Sequence, residues 1–246
     1  SCELYTDVSG VFTTDPRLVP EATKIKRISF DEMLEMCATG CPKPAMRSVE
    51  YASRHGVSLH VRSAFTWEPG TWIVEEEPDM EQAVIRGITH DPSQAKVTVA
   101  SLPDRPGVAG TLFRSLAERQ VNVDMIVQNT SEDHKTDISF TVPHDELEAT
   151  LAGVNGLLGE LGASGVSASS DIARVSVIGA GMKSHPGVAA AMFETLAANE
   201  INIDMISTST IRISCVVAEA DAERAVMVLH KRFGLGQGDD AVEFGG

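Results

Sequence analysis

The chain carries one segment twice. Pro106-Gly107-Val108 answers Pro186-Gly187-Val188, and Asn122-Val123-Asp124-Met125-Ile126 answers Asn202-Ile203-Asp204-Met205-Ile206, each pair 80 residues apart. Solenoid units usually run about 20–50 residues, so this longer period marks a duplicated small domain. Two similar modules in one chain create a mutual interface, and such interfaces are preferred places for small ligands.

In repeat one the pattern predicts a strand over Lys96–Leu102 and a helix over Gly107–Arg119 with Pro106 at its start. Ala109, Leu112, Phe113 and Leu116 form the helix's buried face. Strands over Val121–Asn129 and Thr136–Pro143, a helix over His144–Leu161 and a short strand over Gly165–Ser169 complete a β-α-β-β-α-β, ferredoxin-like order. Repeat two gives Arg174–Ile178, Val188–Asn199, Ile203–Thr208, Ile211–Ala218 and Asp221–Arg232. It lacks a last strand because the chain turns glycine-rich at Gly234-Leu235-Gly236. The orphan strand Ala83–Thr89 is expected to fill that place, which makes repeat one an insertion in repeat two. Ala241–Phe244 can add a short edge strand.

Upstream, residues 2–8 read as a strand ending at the turn signal Gly10, followed by a polar loop at 13–17. Ile28–Ala38 reads as a helix whose Ser29 and Glu32 form a capping box, with an apolar stripe of Met33, Leu34, Met36 and Cys37. Met46–His55 is a further helix, Val57–Arg62 a strand, and residues 66–82 a Glu- and Pro-rich linker. The expected organisation is 1–80 for this first portion and linker, 81–95 for the donated strand, 96–170 for the first repeat and 171–246 for the second with its tail. The chain opens without Met and Ser1–Tyr5 enters as though mid-domain, so a fragment or processed sequence is expected.

A formal net charge of −15 argues against nucleic acid and anionic membranes, which want a basic face. No stretch reaches the roughly 20 apolar residues of a membrane span, and no signal peptide opens the chain. Cys2, Cys37, Cys41 and Cys215 are scattered. Cys37 and Cys41 can face one way on a helix, but no second pair at zinc spacing accompanies them, so packing is the better reading and no metal site is assigned. The cytoplasm fits best.

Each repeat runs into its helix through Pro-Gly. The first amides of a helix lack internal partners and carry partial positive charge, so a carboxylate fits there. In repeat one the same loop carries Asp104, which can accept from an ammonium; together they suit the two ends of an α-amino acid. Gly107 and Ala109 allow close approach, and Gln128 and Asn129 on the neighbouring strand can read a side chain. Asp-x-Pro-Gly is also ordinary helix punctuation, and that reading stands beside the first. Repeat two has Ser184-His185 in place of Asp104-Arg105. Repeat one therefore supplies the main pocket, and repeat two a facing wall or a different site. Gly179–Ser184 mimics a dinucleotide fingerprint but lacks the third glycine, and its helix begins later, at Pro186-Gly187. No P-loop exists and no Ser/His/Asp set can be assembled.

The run Tyr5–Arg17 closely resembles the nucleotide-binding segment of the aspartokinases, of the amino-acid kinase superfamily. The segments Ile28–Met36 and Arg47–Ala52 are similar to that family too, and the repeats resemble its tandem ACT domains. The implied fold is mixed α/β and α+β: the C-terminal part of an amino-acid kinase α/β domain, then two ferredoxin-like βαββαβ ACT domains, the first inserted in the second. The implied activity is phosphorylation of the side-chain carboxylate of L-aspartate by MgATP, the step opening the pathway to lysine, threonine, methionine and diaminopimelate, with no prosthetic group. By resemblance Thr6, Asp7, Phe12, Thr13, Thr14, Asp15, Pro16 and Arg17 lie on the nucleotide, and Lys43 is the candidate nearest to the family's phosphate-side lysine. Here the sequence departs from the family: Pro42 stands at the family's lysine position, and Lys43 follows one residue late between two prolines. The family's Lys-x-Gly-Gly loop, aspartate site and transition-state-stabilising groups lie in an N-terminal half that this sequence does not contain. No catalytic residue is assigned, and the chain alone is expected to be inactive.

The resemblance also implies ACT domains that pair across subunits, as homo-oligomer or heteromer, and bind L-lysine and/or L-threonine. Asp104, Arg105, Pro106, Gly107, Val108, Ala109, Asn122, Val123, Asp124 and Gln128 match the effector pocket. Asn202, Asp204, Met205, Ile211 and Arg212 match its facing wall. The leading expectation is a C-terminal aspartokinase fragment. The alternatives are a non-catalytic amino-acid-sensing subunit that assembles with a full-length kinase chain, or an ACT pair acting only in dimerisation.

Overall fold

The computed structural model describes residues 1–76, 84–130 and 134–237. Its first portion comprises β1 (Cys2–Thr6), β2 (Arg27–Ser29), α1 (Phe30–Ala38), α2 (Met46–Arg54), β3 (Leu59–Ser63) and β4 (Thr71–Val74). These strands form one mixed sheet in the order β1-β3-β4-β2, with β1 parallel to β3, β3 antiparallel to β4 and β2 parallel to β4. The capping box is formed: the Ser29 hydroxyl accepts from the Glu32 amide at 3.2 Å, and Glu32 Oε2 accepts from the Ser29 amide at 3.3 Å. It fixes the start of α1, and Met33, Met36, Val49, Val61 and Ile73 close the core beneath. The expected linker is corrected here. Thr71–Val74 is a strand between β3 and β2, where Thr71 Oγ1 donates to the Ile25 carbonyl at 2.6 Å.

Next come β5 (Gly87–Asp91), β6 (Gln94–Pro103), α3 (Val108–Glu118), β7 (Ile126–Thr130), β8 (Lys135–Pro143), α4 (Leu147–Asn155), α5 (Leu158–Leu161) and β9 (Gly165–Ser169). They are followed by β10 (Ile172–Ile178), α6 (Val188–Ala198), β11 (Met205–Thr208), β12 (Arg212–Ala218) and α7 (Ala222–Arg232). Repeat one builds the sheet β7-β8-β6-β9 and repeat two the sheet β11-β12-β10-β5. In both, the second strand of the repeat lies at one edge and the fourth pairs with the first. In the second sheet β5 takes that fourth place, pairing antiparallel with β10 from Arg174↔Asp91 to Ile178↔Gly87. Of the expected strand Ala83–Thr89, Ala83 lies outside the described residues, as does the expected edge strand Ala241–Phe244.

Several boundaries shift. The extended run Val121–Met125 precedes β7 rather than belonging to it, and the expected helix 144–161 is a 3-10 turn followed by α4 and α5. Pro106 lies outside α3, whose N-cap is Gly107.

The first repeat's core gathers Val97, Val99, Leu112, Leu116, Ile138 and Phe140, with Phe113 edge-on to Phe140 at 5.5 Å. The second gathers Ile88, Val175, Val177, Met192, Leu196, Cys215, Val226 and Leu229. Every residue of β10 is buried, as a central strand covered on both faces demands. Each such Leu or Val contributes about 1.5–3 kcal/mol of transfer free energy. A small shared core of Met125, Ile172, Met205 and Val216 joins the two repeats.

Candidate functional site

Two concave sites emerge. The first, about 460 Å3, lies where the loop after β1 meets the turn after α1. Asp7, Phe12, Thr14, Asp15, Pro16, Arg17 and Lys43 all line it, so residues some 30 positions apart in sequence converge. Lys43 Nζ reaches the Asp7 carboxylate, which holds that carboxyl below its usual range, with a backbone contribution second. Arg17 Nη2 meets Asp15 Oδ2 at 2.6 Å, lowering the Asp15 pKa and raising that of Arg17. Both cations on the rim are thus already paired, and phosphate oxygens would compete with these carboxylates.

Thr14 Oγ1 is buried at this site without a hydrogen-bond partner. The cations Arg17 and Lys43 at the rim make this cavity suit a ligand that carries anionic groups. Thr6 and Thr13 do not line it. Thr6 Oγ1 accepts from the Val8 amide at 3.0 Å and so shapes the turn, while Thr13 is buried against α7.

Sequence reasoning missed the opposite wall: Met36, Gly40, Cys41 and, from β5, Ile88, Thr89 and His90. No local signal marks β5 as part of this site, because its residues sit about 75 positions from the loop. Gly40 has φ +123°, and a Cβ there would lie 2.1 Å from the His90 carbonyl oxygen, so its lack of a side chain permits the wall. Burial pushes the Cys37 thiol up to about 12 and also raises that of Cys41, so neither offers a thiolate nucleophile at neutral pH.

The second site, about 340 Å3, opens at the N-terminus of α3. Asp104, Arg105, Pro106, Gly107, Val108, Ala109 and Gln128 line it, together with Pro103, Thr136 and Ile138. Gly107 caps α3 at φ +97° with no side chain bonded to the first amides, which leaves them directed at an incoming anion. Asp104 is exposed on the rim, its amide donating to the His134 carbonyl at 2.9 Å. A carboxylate acceptor and free amides thus sit at one mouth.

The remaining expected effector residues are not brought there within the single chain. The Asn122 amide donates to Glu146 Oε2 at 2.7 Å, Val123 packs on the first repeat's core, and Asp124 pairs with Arg174. Asn202 is exposed elsewhere, and Asp204 pairs with Lys96 at 2.8 Å. Met205 lies in the shared core, Ile211 is buried, and Arg212 pairs with Glu35 on α1 at 2.9 Å. Asn129, expected to read a ligand, is not in the lining; its carbonyl accepts from Thr136 Oγ1 at 2.8 Å. Among the described residues no cluster of three or more His, Cys, Asp or Glu side chains gathers as a metal ion would need. No helix among them is long and apolar enough to cross a membrane.

The amino acid kinase family model matches residues 1–63, and the ACT domain model matches residues 97–155 and 175–233. An aspartokinase of Mycolicibacterium smegmatis is 50% identical over 250 residues, which is 100% of this chain and 59% of that protein. A crystal structure of aspartokinase alpha and beta subunits is 42% identical with TM-score 0.58, covering 61% of this chain and 99% of that one. Escherichia coli aspartokinase III in complex with lysine and aspartate is 28% identical with TM-score 0.73, over 93% of this chain and 51% of that one. The fold is therefore the end of an amino-acid kinase sheet joined to a pair of regulatory ACT domains. The chain belongs to the aspartokinase family, of which it represents the C-terminal region. It spans 59% of the length of the curated relative it matches at 50% identity.

Proposed function

We propose that this chain is the regulatory and nucleotide-proximal portion of an aspartokinase that converts ATP and L-aspartate to 4-phospho-L-aspartate. Its first ACT domain senses L-lysine, L-threonine or both. The observation that carries the sensing role is the mouth of α3, where the uncapped amides after Gly107 and the carboxylate of Asp104 sit on one cavity of about 340 Å3. An α-amino acid presents a carboxylate to the amides and an ammonium to Asp104, with Gln128 available to its side chain. The complex of E. coli aspartokinase III with lysine supports that ligand class. Asn122, Val123, Asp124 and the wall residues Asn202, Asp204, Met205, Ile211 and Arg212 would reach a ligand only through a partner subunit. This reading therefore includes assembly through ACT domains, in the cytoplasm.

The kinase-end cavity is the nucleotide side of the active site. Arg17 and Lys43 offer charge once Asp15 and Asp7 yield them. Magnesium supplies charge neutralisation of the polyphosphate when bound with ATP. No aspartyl phosphate is expected from this chain alone, because neither cation is free and no acceptor site accompanies them on the described residues. The second reading, a non-catalytic sensing subunit that joins a full-length kinase chain, draws on the match to 99% of a subunit chain in the alpha and beta structure.

Calorimetric titration with lysine and threonine, separately and together, tests the sensor. Binding by at least one is expected, and no binding by either in a dimeric sample would sink the reading. Aspartyl phosphate made by the purified chain would overturn its expected inactivity.

A further inference from the structure

The loop that rims the kinase-end cavity is held largely by the second ACT domain. Leu18, Val19 and Ala22 pack into that domain's hydrophobic core. The Ile88 amide of β5 donates to the Thr13 carbonyl at 2.7 Å, and Thr23 Oγ1 donates to the Leu235 carbonyl at 2.9 Å. Between these anchors, Thr13 Oγ1 lies 3.0 Å from His230 Nε2 near the end of α7 and accepts from the Thr23 amide at 3.1 Å. The Thr13 hydroxyl can donate a hydrogen bond to the ring nitrogen when His230 carries its own proton on Nδ1. Both residues are buried, at 7% and 2% exposure, so losing either partner strands a polar atom inside the protein. The next four residues, Thr14 to Arg17, line the cavity.

We propose that His230 is a positioning residue for the nucleotide: by fixing Thr13 it holds the rim segment Thr14–Arg17 in place at the cavity, so that a helix of the regulatory domain sets nucleotide affinity. This rests on the reading of that cavity as the nucleotide site. The regulatory domain supplies the rim's anchor through His230 and one cavity wall through Ile88, Thr89 and His90. A movement of that domain is therefore felt at the cavity through a hydrogen bond and a strand, with no intervening element.

The test is titration of Mg·ATP into the chain by calorimetry, with the unmodified protein and four variants. His230→Leu should weaken binding about tenfold, the scale of one hydrogen bond. His230→Gln places an amide nitrogen or oxygen near the Nε2 position and should restore most of the affinity. Thr13→Val removes the bond from the other side and should reproduce the loss even if His230→Leu folds poorly. Leu196→Ala opens a cavity in the same core from α6 and leaves the Thr13–His230 bond in place; it should lower Tm and leave Kd unchanged. Without nucleotide, amide exchange across residues 13–23 should quicken in His230→Leu and not in His230→Gln. Unchanged affinity in both His230→Leu and Thr13→Val, failure of Gln to rescue, or an equal loss in Leu196→Ala overturns the proposal. No binding of Mg·ATP by the unmodified chain instead removes the nucleotide-site reading, and the proposal with it.

Discussion

Glu35 on α1 and Arg212 on β12 meet at 2.9 Å across the junction between the kinase end and the second ACT domain. The Ser209 hydroxyl donates to the other Glu35 oxygen at 3.2 Å. Both side chains of the ion pair are mostly buried, so the pair is shielded better than a surface bridge. Replacing Arg212 by Ala leaves Glu35 with the Ser209 hydroxyl and the charge of Arg174. A loss of about 1.5–3 kcal/mol follows for a charge-assisted bond of this kind. A double-mutant cycle with Glu35→Gln, read by urea denaturation, should return a coupling of at least about 0.5 kcal/mol; strict additivity would show that the contact does not join the domains energetically.

Arg174 is the most deeply placed cation of this junction, at 2% side-chain exposure. Its guanidinium donates to the Ala38 carbonyl at 2.8 Å, pairs with Asp91 at 3.1 Å and reaches the Asp124 carboxylate. It thereby touches the kinase end and both ACT domains. Burial pulls its pKa down and Asp91 pushes it back up. For Asp91, burial raises the pKa, but bonds from Ser93 and the charge of Arg174 outweigh that and leave it lowered. Arg174→Met removes the charged partner of Asp124 and the donor to the Ala38 carbonyl, while Asp91 keeps its bonds from Ser93 and Gln94, and should cost about 1.5–3 kcal/mol. Arg174→Lys should recover little, since an ammonium cannot reproduce a planar fork spread over three acceptors. Thermal unfolding of both variants checks this, and full recovery by Lys would refute the geometric argument.

At the mouth of α3, Asp104→Ala should weaken amino-acid binding about 10- to 100-fold, the value of a hydrogen bond to a charged group. Its effect on Tm should be small because Asp104 is exposed. Calorimetry with lysine and threonine reads it directly. An unchanged Kd for the amino acid that binds would place the ammonium partner elsewhere.

Gly40→Ala should destabilise the junction by roughly 2–5 kcal/mol, combining a left-handed backbone with overpacking. The added methyl would meet the His90 carbonyl oxygen at 2.1 Å. A backbone atom cannot step aside as a side chain can. Differential scanning calorimetry should show a lower Tm, and a Tm equal to that of the unmodified chain would contradict the close approach.

Acid stability carries the mark of His230. Burial lowers its pKa from 6.5, with Glu21 pulling the other way. The unfolded chain therefore takes up a proton as pH falls through 6.5 while the folded chain does not. Stability is retained above that value and falls below it, by up to about 1.4 kcal/mol per pH unit until the folded value is reached. His230→Leu should flatten that part of the profile relative to the unmodified protein. Parallel profiles from pH 7.5 to 5 would show that the ring titrates normally.

Much of this was legible from residue patterns because the signals are local. Ser29 and Glu32 are three positions apart and announce the capping box. The missing last strand of the second repeat pointed to a strand donated from before the first. The strand Thr71–Val74 stayed hidden because four residues behind Gly70 are too few to show a period among flanking Glu and Pro. Asp104 and Gln128 meet because they flank one loop and the adjacent strand. Arg212, by contrast, answers Glu35 from 177 positions away, and nothing near either residue signals its partner. His230 likewise reads as a lone histidine on an amphipathic helix until Thr13, 217 positions distant, is set beside it.

The pairing of Asp91 with Arg174 in register makes the intervening first ACT domain a cassette. The chain leaves the second domain's sheet at one residue and re-enters it beside that same residue. Residues 92–171 can therefore be excised and the gap bridged by a few glycines, with the Gly87–Asp91 strand still next to Ile172–Ile178. During synthesis the order is reversed: the cassette can close as soon as it emerges, while the Gly87–Asp91 strand of its host stays unpaired until Ile172–Ile178 is made. A nascent chain halted before residue 172 would carry the complete lining of the cavity at the start of α3 on an unfinished second domain.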